Sequence, residues 1–152
     1  MTSKVETLAK LYLQGESAEI SEEAKNELCD WLMSEFQQLP INVQFSDYMR
    51  YETTQDMFAD IEQGQLWESA ESYDSAIYPN PFYGFAFLAI HDYDHYRTIS
   101  DFSLEGEIIA YKLTAKRAPS LEIQKILYSE IVLKTATYLY LGHTPETKII
   151  FP

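Results

Sequence analysis

Apolar residues recur every three or four positions along most of this chain, and each run is bracketed by residues that start or stop a helix. Ser3-Lys4-Val5-Glu6 has the form of a capping box, in which the serine oxygen and the glutamate satisfy orphan backbone amides reciprocally. Val5, Leu8 and Tyr12 then share one face, and Gly15 supplies a stop. Ser21, followed by Glu22 and Glu23, puts an N-cap and two anions at the positive end of a second helix. Ala24, Leu28, Trp31, Leu32, Phe36 and Leu39 carry its apolar stripe as far as Pro40. A third helix is expected from about Ser46 to Gln63, with Tyr51, Phe58 and Ile61 inward and Gly64 closing it.

The second half repeats the logic. Two prolines and an asparagine around Tyr78-Pro79-Asn80-Pro81 forbid a long helix there, so an irregular aromatic and proline-rich loop is expected over about 72–82. A fourth helix should run from about Tyr83 to Thr98 and a fifth from near Ser103 to Arg117. The last and most apolar helix opens at Pro119 and Ser120 and ends at Gly142. Strand signals are few: Ile41 to Phe45 alternates, and Lys148 to Phe151 is short. Five glycines in 152 residues are too few turns for an all-β fold. The expected class is all-α, an antiparallel bundle of five to six helices forming a single helical domain over residues 1–152.

Composition supports a real core, since 46% of the residues are hydrophobic and 14% aromatic. Cys29 is the only cysteine, which excludes a disulfide scaffold. The net charge of −13 argues against direct binding to a nucleic-acid backbone. Residues 1–75 hold sixteen acids against four bases, so a basic protein partner is one expectation. A homodimer joined through aromatic surface is another. Met1 to Glu6 lacks the charged-then-apolar design of a secretory signal. The most apolar stretch, Phe82 to Ile90, is about half the ~20 residues that a membrane-spanning helix needs. The expectation is a cytoplasmic protein with no membrane association.

Chemistry concentrates in His91-Asp92-Tyr93-Asp94-His95, directly after a run that is apolar nearly all round. On a helix His91, Asp94 and His95 share a face, while Asp92 and Tyr93 lie around the cylinder. Two imidazoles one turn apart can hold one divalent ion, with a carboxylate as a third ligand or orienting a ring. Glu105, at the start of the fifth helix, and Glu130, in an otherwise apolar stretch of the last, are the further acids that facing helices would supply. The expected metal set is therefore His91, Asp94, His95, Glu105 and Glu130, and the expected ion is zinc, iron or manganese.

Spacing alone also matches the zincin His-Glu-x-x-His motif with aspartate in the glutamate position, but no convincing third ligand follows and little sheet is expected to hold a substrate. In helix count and ligand types the arrangement resembles ferritin-like di-iron proteins. Their paired Glu-x-x-His motifs are absent, because Leu88 stands where the glutamate would be needed. The alternative function is a non-enzymatic acidic interaction module in which the His/Asp cluster is only a structural polar network. There is no Gly-rich phosphate loop, nucleophile elbow or Cys-x-x-Cys pair, so nucleotide hydrolysis, serine hydrolysis and thiol redox have no support.

Overall fold

Six polar side chains start six helices by accepting a backbone amide from the first turn: Ser3 from Glu6, Ser21 from Ala24, Thr53 from Asp56, Asn80 from Phe82, Ser103 from Gly106 and Ser120 from Ile123. In the computed structural model, which describes residues 3–69, 75 and 77–151, these caps open α1 (Lys4–Gln14), α2 (Glu22–Gln37), α3 (Thr54–Glu62), α4 (Pro81–Thr98), α5 (Leu104–Lys116) and α6 (Leu121–Tyr128). After α6 the rod continues through a π-helical turn, Ser129–Leu133, into α7 (Lys134–Leu141), which Gly142 ends in the left-handed conformation. No helix among the described residues is long and apolar enough to cross a membrane.

The expectation of an all-α chain needs correction. Two strands, β1 (Asn42–Ser46) and β2 (Gln65–Ser69), pair in parallel with Asn42 opposite Gln65. A parallel pair needs a crossover, and α3 supplies it. The helix expected over about 46–63 is therefore shorter, starting only at Thr54. Gly64, at φ +81°, makes the tight return from α3, and its carbonyl accepts the Asn42 amide at 2.9 Å. The mostly helical character stands, with this small sheet added to it.

Residues 72–74 and 76 of the expected loop lie outside the described residues. Its far end, Pro81 and Phe82, belongs to α4, because proline with its fixed φ and missing N–H suits the first helical position after the Asn80 cap. The segment Lys148–Phe151 is not a strand. Its Ile149 carbonyl takes the Ala18 amide and its Ile150 amide goes to the Ser129 hydroxyl, so the segment is tied to the α1–α2 connection and to the π turn.

Two apolar clusters meet on α4, which explains why that helix is apolar on nearly every side. On one flank Phe87 and Ile90 pack with Leu28 and Leu32 of α2 and with Ile123, Ile126 and Leu127 of α6. On the other Ala89 packs with Met57, Ile61 and Leu66 of α3 and β2. Fully burying one such side chain is worth about 1.5–3 kcal/mol, so α4 is fixed in rotation and height by its neighbours on both sides. Its face carrying His91, Asp94 and His95 is thereby carried into the interior.

Candidate metal centre

The last two turns of α4 bring His91 and His95 to one face, and both are buried. Opposite them stands Glu107, one turn into α5, also buried. The His91 ring places Nε2 2.9 Å from Glu107 Oε2, and the His95 ring places Nε2 2.8 Å from Oε1. One carboxylate thus spans two imidazoles, one oxygen to each. A ligating atom from each of the three residues lies within 4.8 Å of the other two. Phe87 stacks on the His91 ring and Phe102 meets the His95 ring edge-on, which walls the group with apolar surface.

Both rings are also held from behind. Past Thr98 the chain turns through Ile99 in the left-handed region (φ 53°), which few β-branched residues occupy. That turn returns the Ser100 carbonyl to within 3.1 Å of His95 Nδ1, with the Ser100 hydroxyl at 3.0 Å. A carbonyl only accepts, so Nδ1 carries the proton and Nε2 is the atom turned to Glu107. Behind His91, Nδ1 lies 3.4 Å from the Thr114 hydroxyl, which donates to Asp94 Oδ2 at 2.6 Å. Gly106 allows the 100–103 turn to sit against the start of α5, since a Cβ there would collide with the Asp101 carbonyl.

Electrostatics follow from this packing. Burial alone would push the Glu107 carboxyl up, but the two imidazoles outweigh it and bring its pKa down to about 2. Burial would likewise lower His95, yet Glu107, Asp92 and the Ser100 carbonyl together raise it. Among the described residues no lysine or arginine forms an ion pair with Glu107, Glu68 or Asp92. Arg97 and Arg117 are both engaged elsewhere, on Asp94 and Glu35.

The five residues expected to bind metal thus separate. His91 and His95 come together. Asp94 shares their helix but is fully buried, with its oxygens bound by Arg97, Arg117 and Thr114, and it is not part of the His91, His95 and Glu107 cluster. Glu105 is exposed on α5, two residues and about 200° from Glu107. Glu130 lies in the π-helical turn and is not part of this cluster. Glu107 was not anticipated, although the sequence holds a signal: it falls at i, i+3 and i+7 with Ala110 and Thr114, the buried stripe of α5. Asp92, expected to point elsewhere, faces Glu68 of β2 and is near enough to His95 to raise it. No protein-family model, curated protein or solved structure matches this chain.

Proposed function

We propose that this protein binds a divalent transition metal through His91 Nε2, His95 Nε2 and Glu107. The convergence of two imidazoles on one buried carboxylate, each ring held from behind, carries the reading. Metal-bound histidines characteristically donate their other N–H to a carbonyl, carboxylate or hydroxyl, which fixes the ring and the tautomer. His95 does this with Ser100, and His91 does it through Thr114 to Asp94.

The distances suit an ion as well as a proton. Neighbouring ligands at bond lengths of about 2.0–2.2 Å, set 90–109° apart, lie roughly 2.9–3.5 Å from one another. The nitrogen–oxygen separations of 2.9 and 2.8 Å, each to its own Glu107 oxygen, are at the edge of that range, and the three ligating atoms, within 4.8 Å of one another, would draw closer around an ion. Two histidines with one carboxylate form a donor set used for zinc and for non-haem iron, and manganese accepts the same atoms. Such a set leaves coordination positions for water or a small oxygen ligand, which is where metal-dependent chemistry would occur.

One observation favours a second reading. The Nε2 atoms already form full hydrogen bonds with Glu107, so a protonated imidazole–carboxylate network satisfies the same atoms without metal. Calorimetric titration of untagged protein with zinc, manganese and anaerobic ferrous iron separates the two. Wild type should bind one ion at this position, and His91→Ala, His95→Ala and Glu107→Gln should each weaken it at least tenfold while keeping a helical circular dichroism spectrum. Equal binding by all four proteins would establish the polar network instead.

A further inference from the structure

On the side of α4 that faces β2, a second pair of acids is buried together. Leu66 and Glu68 point from β2 toward the helix as alternate residues of one strand face, and both are buried. Leu66 meets Ala89 in the apolar cluster, whereas Glu68, only 6% exposed, meets Asp92 three residues further along α4. Its Oε2 atom is buried and has no hydrogen-bond partner. Leaving a buried acceptor unsatisfied is costly, more so for a charged group, and two carboxylates side by side repel as well. No lysine or arginine among the described residues offsets them.

We infer that Glu68 and Asp92 form a second divalent-cation position, taking an oxygen-preferring ion such as manganese, magnesium or calcium. Three features carry this beyond two acids lying close together. Glu68 Oε2 is a buried acceptor with no donor of its own, the contact of the carboxyl being with another acid, Asp92. Asp92 is half-buried, so one side of the pair remains open to an arriving ion and its waters. The local charge is lopsided: Asp92 faces Glu68 on one side and acts with Glu107 on His95 on the other, while Arg97 and Arg117 are engaged on Asp94 and Glu35. Carboxylate oxygens select hard cations, in contrast to the nitrogen-rich donor set on the α5 side of the same helix. The position goes beyond the one proposed above and does not require it, since the two use no ligand in common.

The competing occupant is a single proton shared between the carboxyls, and stoichiometry tells them apart. Manganese is the probe because both donor sets accept it. Equilibrium dialysis with metal analysis, at about 0.15 M salt to screen weak surface binding, should give two equivalents for wild type. Glu68→Gln and Asp92→Asn should each bind one, and His91→Ala should keep the equivalent that Glu68→Gln loses. Glutamine reproduces the shape of a protonated glutamate, so that variant should fold, and Asp92→Asn tests the same position from the other element. One equivalent in wild type, unchanged in Glu68→Gln and Asp92→Asn, would overturn the second position and leave the histidine site standing. Two equivalents in all three would assign the extra ion to the acidic surface and overturn it equally. No binding by wild type would overturn both.

Discussion

His95 and Ser100 hold each other at two points: the Ser100 amide donates to the His95 carbonyl at 3.0 Å, and the Ser100 carbonyl accepts from His95 Nδ1 at 3.1 Å. The residue between the helix end and this clasp is Ile99, so the geometry of one imidazole depends on a strained backbone position. A left-handed β-branched residue costs on the order of 1–2 kcal/mol. The residue is 83% exposed and recovers little of that by packing.

Ile99→Gly should therefore stabilise the protein. Glycine adopts φ 53° without strain, and the greater entropy of the unfolded chain offsets part of the gain. The net expectation is about +1 kcal/mol, read as a higher Tm in thermal denaturation. An unchanged or lowered Tm would show that the Ile99 side chain contributes more than its exposure implies.

Gly106→Ala should do the opposite. The added methyl collides with the Asp101 carbonyl and carboxylate, and the carbonyl, being backbone, cannot swing aside as a side chain could. A loss of about 2–3 kcal/mol in urea denaturation is expected, in the upper range of overpacking effects. Because the displaced turn carries Ser100, metal affinity should fall together with stability. A variant as stable as wild type would contradict the close approach.

The pH dependence of the metal-free protein has a defined shape. Glu107 titrates at about 2 when folded, against 4.5 ordinarily, so the stability it contributes is present above about 4.5 and lost as pH falls toward 2. A shift of that size corresponds to about 3 kcal/mol. His95 is raised above 6.5, so its contribution is full below that value and lost as pH climbs through the raised one. Metal-free protein should be most stable between about pH 4.5 and 6.5, and Glu107→Gln should flatten both limbs of the profile. Bound metal, which displaces the Nε2 protons, should shift the optimum upward. Denaturant midpoints across pH, with chelator and with zinc, check both statements.

What was legible in the sequence follows from range. The starts of α1, α2, α5 and α6 were, because a serine and the amide it caps lie within three residues, and the approach of His91 to His95 was, because they lie one turn apart; the Thr53 and Asn80 caps of α3 and α4 were not. β2 was not, because its inward face reads leucine then glutamate, and a buried carboxyl breaks the alternation that marks a strand. Asp94 illustrates the other limit. Its helical face was clear, but its partners are chosen by Arg117 and Thr114, which arrive from 23 and 20 residues away. Glu107 displaced Glu105 for a similar reason: which of two acids faces inward depends on the rotation of α5, fixed by Ala110 and Thr114 further along.

Thr114→Val tests whether the groups behind His91 matter to metal or only to folding. Valine keeps the shape of threonine and removes the hydroxyl that accepts from His91 Nδ1 and donates to Asp94. Asp94 keeps Arg97 and Arg117, so the stability cost should be modest, about 1–2 kcal/mol. The His91 ring, by contrast, loses the partner that fixes its tautomer, and metal affinity should fall about 10- to 100-fold. Thr114→Ser, which restores the hydroxyl but removes the methyl, should recover most of the affinity while losing some packing. If valine and serine variants bound zinc equally well in calorimetry, Thr114 would act in packing alone, and Asp94 would have no part in orienting His91.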